Sequence, residues 1–398
     1  MNSLGNASYR PRNPGHDYYG EGVYHITLVV GSRDTLLGRL NMDVQHPMVE
    51  LTELGEFLQN QWLKTVELQA KRGNHIQLHA QVCMPDHWHG VVEVHNRMNW
   101  SLGDIIQAVK AACTSHWRKL TGYTEPPISA QKVRHMSHEN RSRYYSTLPR
   151  HQRPLFDDDY DDTICFPRSL DIAEHERHKA AMIHYVDDNP RRAIVMRLHP
   201  DFFERRLHIV IKGMDRQGND IVRHYAAFGN LYLLRWARKE QVMCHRKARF
   251  GMLTDQEKST HSVTYDAVPD YVTNIPYEQT QAFRRQHDDV MAKVMAGGTV
   301  VVTPGISAGE KAIKKECLEK GIPLIHIQKE PVNALWKPEA ERFMACQRGT
   351  LLILAPWHAD AMGEVNGVSQ DRLYSIFHNL NEVAREVCEW SGEARIVR

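Results

Sequence analysis

Residues 84–90 read Met-Pro-Asp-His-Trp-His-Gly, and this stretch decides the fold of the N-terminal half. It joins two runs of apolar and β-branched residues, 76–84 and 88–94. Proline followed by aspartate favours a tight turn, so the sequence predicts two strands connected as a hairpin.

The two histidines of this hairpin, His87 and His89, are candidate metal ligands. Side chains two positions apart on a strand project from the same face, while Trp88 between them packs on the opposite face. Two imidazoles on one face suit a shared metal ion. The chain carries 24 histidines, so a solvated pair, or a zinc site completed by Cys83, remains an alternative.

The segments around the hairpin predict an α+β domain. A buried strand is predicted over 23–30, and apolar residues at helical spacing predict a helix over 49–71. A second helix is predicted from Ser101, a natural N-cap with Asp104 three residues later, to Leu120. The order β-α-β-β-α is typical of a ferredoxin-like domain with an antiparallel sheet.

A further helix is predicted from Ser169 through Tyr185, ending at Asn189-Pro190 because the residue before proline disfavours helix. Tyr185 and Asn189 are four residues apart and share a helix face. Taken alone, a tyrosine near a helix end is more often a core or capping residue. The preceding residues 123–168 predict a loop with at most one short strand. Its aspartates between 157 and 162 fit a solvated turn better than a two-metal nuclease.

Together, the strand near residue 23, the M-P-x-H-x-H hairpin, the second helix and the Y-x-x-x-N-P ending resemble REP-associated tyrosine transposases. These are bacterial relatives of single-tyrosine HUH transposases, and the resemblance covers a domain at about residues 15–200. It implies a metal-dependent single-strand DNA endonuclease and strand transferase acting on single-stranded or hairpin DNA. It also implies a Mg²⁺ or Mn²⁺ site and a nucleophile that forms a 5′-phosphotyrosyl intermediate. The implied metal ligands are His87, His89 and Asn189, and the implied nucleophile is Tyr185.

Candidate DNA contacts come from basic clusters, because the net charge of +2 does not itself indicate a nucleic-acid binder. The second helix presents Lys110, Arg118 and Lys119, and Arg191 and Arg192 follow the tyrosine. These five residues are candidate phosphate contacts. Solvated helix faces are the alternative.

The C-terminal part predicts a second domain at residues 276–398, after a connecting segment at 201–275. Alternating helices and strands predict a parallel, Rossmann-like α/β domain. It resembles the DNA-processing protein A and lysine-decarboxylase-like group. A glycine turn after a strand suggests weak nucleotide contacts at Thr303, Gly305, Gly309 and Glu310. A plain scaffold turn, a nucleotide-binding enzyme and a non-catalytic DNA-binding regulator all remain alternatives.

The cysteine content favours a cytoplasmic protein, and the resemblance to REP-associated tyrosine transposases implies a bacterial one. The seven cysteines are scattered without a C-x-x-C pair, which argues against a disulfide framework. Residues 1–6 lack the pattern of a secretory signal, and the longest apolar runs are far shorter than a bilayer span. We therefore expect no membrane partner. The sequence leaves open whether the protein is a monomer or a homodimer.

Overall fold

The structure is a computed structural model. It describes residues 15–128, 132–133, 135–156, 161–165, 172–214, 220–242, 259, 281–334, 336–338, 340–356 and 370–389. The chain divides into two compact units, Met1–Val195 and Met196–Arg398. Each unit is described separately below.

The first unit contains an antiparallel sheet, a small two-stranded sheet and several helices. Its strands are β1 (Gly22–Val29), β2 (Gly38–Leu40), β3 (Val49–Leu51), β4 (Ile76–Met84), β5 (His87–Val94) and β6 (Asp161–Cys165). Its helices are α1 (Glu53–Lys71), α2 (Leu102–Thr121), α3 (His138–Thr147) and α4 (Ile172–Leu198), the last of which extends into the second unit.

The main sheet has the strand order β4-β5-β1-β6, with every neighbouring pair antiparallel. This is the order of a split βαβ unit, in which β5 lies between β1 and β4. The hairpin and the Ser101 capping box with Asp104 are therefore confirmed. The order places β5 and β1 in the interior of the sheet, where both edges of each strand are paired.

The two faces of the sheet are covered by different helices. One face packs on α1 and α2 through a large apolar core that includes Tyr24, Ile26, Leu28, Trp88 and Val92. The opposite face packs on α4 through a smaller cluster built on Val23, Ala80, Val91 and Val186. Since side chains alternate along a strand, odd-numbered positions of β5 face α4 and even-numbered positions face the large core.

Three predictions for this unit are wrong at the level of element boundaries. The helix predicted from 49 begins at Glu53, because residues 49–51 pair with β2 and Thr52 caps the helix. The loop predicted over 123–168 contains α3 as well as β6. The tyrosine helix does not end at Asn189: α4 continues to Leu198 with Pro190 inside it. The N-cap predicted at Ser169 lies outside the described residues.

The second unit is built on a mixed sheet. Its strands are β7 (Glu204–Met214), β8 (Asp220–Gly229), β9 (Lys239–Gln241), β10 (Val300–Thr303), β11 (Leu324–Ile327) and β12 (Leu351–Pro356). Its helices are α5 (Gln281–Gly297), α6 (Ala308–Lys320), α7 (Ala340–Gln347) and α8 (Gln370–Glu389). The strand order is β7-β8-β12-β11-β10-β9.

Only part of this sheet is parallel. Strands β9 to β12 run parallel in sequential order, and β8 and β7 are added antiparallel beside β12. The described strands show no reversal of order such as defines the doubly wound fold, so a Rossmann-like domain is not confirmed. The predicted connecting segment, 201–275, contributes β7, β8 and β9 to this sheet. Of the helices described in either unit, none is both long and apolar enough to span a bilayer.

Candidate active site

The two histidines of the hairpin project together toward α4. The ring centroids of His87 and His89 lie 4.6 Å apart, a separation compatible with two imidazoles that bind one cation at about 2.1 Å per nitrogen. The side chain of His87 is 17% exposed and His89 is buried. Cys83, by contrast, pairs across the hairpin with Trp88 and lies in the core on the opposite face. A zinc site completed by Cys83 is therefore excluded by the pleat of the sheet.

Both imidazoles are held through Nδ1. His87 Nδ1 donates to Asp86 Oδ1 at 2.6 Å, and His89 Nδ1 lies 2.9 Å from Thr27 Oγ1. Burial raises the pKa of Asp86, but the hydrogen bond from His87 and the charges of His87 and Arg33 outweigh it, so this pKa lies below its usual range. Metal-binding histidines commonly donate one ring N–H to such a partner, which directs the other nitrogen at the metal. A cation would accordingly bind the two Nε2 atoms.

Tyr185 lies beside these rings. Its ring centroid is 6.0 Å from that of His89 and 5.7 Å from that of His25, with both pairs edge-on. His25 stacks on His89 at 4.9 Å. Arg192, about two turns further along α4, places its guanidinium carbon 5.3 Å from the tyrosine ring centroid. The predicted nucleophile, a predicted phosphate contact and a predicted metal ligand therefore come together on one face of the sheet.

Asn189, the third predicted metal ligand, is buried one turn after Tyr185. Its Nδ2 donates to the carbonyl oxygen of Tyr185 at 2.9 Å, which fixes the amide so that only Oδ1 is suited to bind a cation. Within the described ranges, no three His, Cys, Asp or Glu side chains come together as a metal site. The predicted ligand set is two imidazoles and an amide oxygen, of which the structure brings the two imidazoles together. That mixed set suits a cation accepting both nitrogen and oxygen ligands.

An ion-pair cluster connects α4 to the histidine strand. Lys179 Nζ donates to Glu93 Oε2 at 3.2 Å and to Glu176 Oε1 at 2.8 Å, and His79 Nε2 donates to Glu93 Oε2 at 2.6 Å. The side chains of His79, Glu93 and Lys179 are only 15–17% exposed. Burial opposes the charge of Glu93, but the hydrogen bonds from His79 and Lys179 lower the pKa of the carboxyl overall. This cluster fixes the helix of Tyr185 on the strand of the two histidines.

The predicted DNA contacts on α2 do not join this site. Since α2 covers the opposite face of the sheet, Lys110, Arg118 and Lys119 are separated from the histidines by the sheet itself. Lys110 is 8% exposed, with Nζ 6.0 Å from the Phe156 ring centroid, which does not suit a phosphate contact. Arg118 lies over Tyr123 at 4.3 Å, and both Arg118 and Lys119 are exposed.

Arg191 differs from its neighbour Arg192. Both nitrogens of its guanidinium fork bind Asp188, at 2.6 and 2.8 Å. This bidentate pair occupies the groups that a phosphate would need. Arg192 is therefore the better placed of the two arginines predicted to contact DNA.

Two of the residues predicted as nucleotide contacts in the second unit accept hydrogen bonds from the backbone of their own loop. Thr303 Oγ1 accepts from the Gly305 N–H at 3.1 Å, and the Glu310 carboxylate accepts from the Ile306 N–H at 2.6 Å. Gly309 and Glu310 are buried in the first turn of α6. These contacts match the alternative of a scaffold turn.

Sequence reasoning missed three residues that support the site: His25, Thr27 and Asp86. His25 and Thr27 are polar residues at alternate positions of an otherwise apolar strand, opposite Val91 and His89 in register. The sequence contains that alternation, but the apolar and β-branched residues of the strand predict only that it is buried. Asp86 was interpreted only as a turn residue.

Comparison with known proteins adds little to the geometry. No model of a known protein family matches the chain, and no curated protein matches it. Among solved structures, a REP-associated tyrosine transposase bound to a REP hairpin is similar at 13% identity with a TM-score of 0.26, over 47% of this chain and 74% of that one. At that TM-score the similarity carries no argument for function.

Proposed function

We propose that the first unit is a metal-dependent single-strand DNA endonuclease and strand transferase. The observation that supports this most directly is the position of Tyr185, whose ring lies 6.0 Å from that of His89 and on the same face of the sheet as His87. A phenol beside two converging imidazoles is the arrangement needed for nucleophilic attack on a phosphate held at a cation.

In the proposed reaction, Tyr185 Oη bonds to the scissile phosphorus while the bond from phosphorus to the 3′ oxygen breaks. The phenol loses its proton and the departing 3′ oxygen gains one, leaving a 5′-phosphotyrosyl ester and a free 3′ hydroxyl. A second 3′ hydroxyl reverses these steps and joins a new strand. Mg²⁺ or Mn²⁺, when bound, would neutralise charge on the non-bridging phosphate oxygens.

The residues of the chain have separate parts in this proposal. His87, His89 and Asn189 would hold the cation, with Asp86 and Thr27 orienting the two rings. Arg192, beside the tyrosine ring, would contact the phosphate. The substrate class is single-stranded or hairpin DNA.

The test is formation of a covalent adduct between the full chain and labelled single-stranded DNA from the flanks of its own gene, with Mn²⁺ or Mg²⁺. We expect an adduct on denaturing gels for the wild type, and none for Tyr185→Phe, for His87→Ala or after chelation of the metal. Tyr232→Phe and His46→Ala, at exposed positions, are the matched controls and should retain it. Equal adduct formation by Tyr185→Phe would remove the assigned nucleophile.

A further inference from the structure

A lysine of the second unit lies over the glycine turn that follows β10. Gly305 has φ of 64°, and a Cβ built there would lie 3.1 Å from Lys314 Nζ and 3.2 Å from Lys314 Cε. The absence of a side chain at this position therefore lets the ammonium group of Lys314 approach the backbone of the turn.

Lys314 and a second cationic side chain line a cavity. Arg342 of α7 and Lys314 of α6 both line a space of about 430 Å³. Arg342 Nη1 donates to the neutral amide of Gln328 at 3.4 Å. Among the residues that the structure describes, neither cation has an acidic group within ion-pair distance. The nearby Glu310 carboxylate is bound to the backbone of the turn, and Glu341 and Glu330 approach without pairing.

The surroundings of Lys314 oppose its positive charge. Burial lowers the pKa of Lys314, and the charges of Arg342 and Lys311 lower it further, against the smaller effects of Glu330 and Glu310. His326, buried beneath with Nδ1 3.1 Å from the Thr303 carbonyl oxygen, contributes no charge of its own at neutral pH. Bringing two cations together in this way costs free energy unless an anion offsets it.

We propose that this cavity, between α6 and α7, binds a phosphate monoester through Lys314 and Arg342. A phosphate monoester carries close to two negative charges at neutral pH, which matches the two cations, and its oxygens suit the fork of an arginine. The volume leaves room for the rest of a nucleotide or for the 5′ end of a DNA strand. This inference is independent of the proposed function, because no residue of the first unit takes part.

The test is calorimetric titration of the full chain with inorganic phosphate, AMP, adenosine, and an oligonucleotide with or without a 5′ phosphate. We expect the phosphorylated probes to bind and adenosine to be inactive. Tighter binding of AMP identifies a nucleotide site, and tighter binding of the 5′-phosphorylated strand identifies a strand end. Lys314→Gln and Arg342→Gln should each weaken binding by about tenfold or more. Lys315→Gln, an exposed change on the same helix, should leave it unaltered.

The proposal is overturned if no phosphorylated probe binds at millimolar concentration, or if Lys315→Gln weakens binding as much as Lys314→Gln does. Thermal unfolding without ligand provides the folding control. Because a half-buried cation without an acidic partner destabilises the fold, Lys314→Gln should keep or raise Tm. A Tm lowered by several degrees would assign Lys314 a structural role instead, and would also overturn the proposal.

Discussion

Lys179 of α4 binds Glu93 of β5 at 3.2 Å. Lys179 lies six residues before Tyr185 on the helix, and Glu93 lies four residues after His89 on the strand. The contact therefore joins the helix that carries the proposed nucleophile to the strand that carries the proposed metal ligands. The short distance between Lys179 Nζ and the Glu93 carboxylate and the low exposure of both side chains distinguish this contact from a surface ion pair. A surface ion pair usually contributes little to stability.

Removing this contact should displace Tyr185 and Asn189, which share α4, while leaving His87 and His89 in place. We expect Lys179→Met to slow adduct formation by about tenfold to 100-fold, since a shift of about 1 Å in a reacting group has effects of that size. The metal concentration giving half-maximal activity should rise as well, because Asn189 moves with α4, while His87 and His89 are held by the neighbours of β5 in the sheet. Lys64→Met, an exposed change on α1, is the control. An unchanged rate of adduct formation in Lys179→Met would contradict this positioning role.

Asp86 provides a complementary prediction about the metal. Loss of a carboxylate that orients a metal-binding histidine typically weakens metal binding by about 10–100-fold. Asp86→Asn should therefore raise the Mn²⁺ concentration needed for half-maximal adduct formation by that factor, with near-normal rates at saturating metal. Asp43→Asn, in an exposed loop, should behave as wild type. An unchanged midpoint in Asp86→Asn would show that the hydrogen bond to His87 does not support a metal site.

Gly90 tests the packing behind the histidines. A Cβ at this position would lie 2.2 Å from Trp88 Cη2, and Trp88 is itself stacked on Trp62 at 4.6 Å. We expect Gly90→Ala to lower the free energy of unfolding by about 1–3 kcal/mol, as overpacking does, measured by urea denaturation. The smaller ring of Trp88→Phe removes the clashing atoms, so the double variant should be more stable than the sum of the two single changes predicts. If the two changes have strictly additive effects on the free energy of unfolding, the strain caused by Gly90→Ala does not arise from contact with Trp88.

His326 makes the second unit sensitive to acid. Burial, followed by the charges of Lys314 and Arg342, lowers its pKa to about 3. Between that value and about pH 6.5, where an unfolded histidine ionises, unfolding takes up a proton. Acid should therefore lower the free energy of unfolding by about 1.4 kcal/mol per pH unit in this window. His326→Gln should flatten the pH dependence of Tm, and His199→Gln, at an exposed position, should not. Parallel pH profiles for His326→Gln and the wild type would contradict this.

Local patterns predicted much of the first unit. The alternation of side chains placed His87 and His89 on one face, and the Ser101-Asp104 pair predicted the start of α2. Helical periodicity, however, does not say which face of a sheet a helix covers. The basic residues of α2 were therefore expected near the site, although the structure places them across the sheet from it.

The errors share a physical origin in tertiary packing. Pro190 predicted a helix end, but burial of Val186 and Ile194 on either side of it favours a continuous α4. α3 was missed because its sequence, His-Glu-Asn-Arg-Ser-Arg-Tyr-Tyr-Ser-Thr, has no apolar face. In the second unit, Lys314 and Arg342 lie far apart in the sequence, and no local motif connects them.

The alternation along β5 has a consequence for how this protein can change over evolutionary time. Trp88, Val92 and Val94 belong to the large core, whereas His87, His89 and Glu93 serve the opposite surface. Residues for stability and residues for the proposed chemistry thus alternate along a single strand. Selection, or a library randomised at every second codon, can alter one property while leaving the other nearly intact.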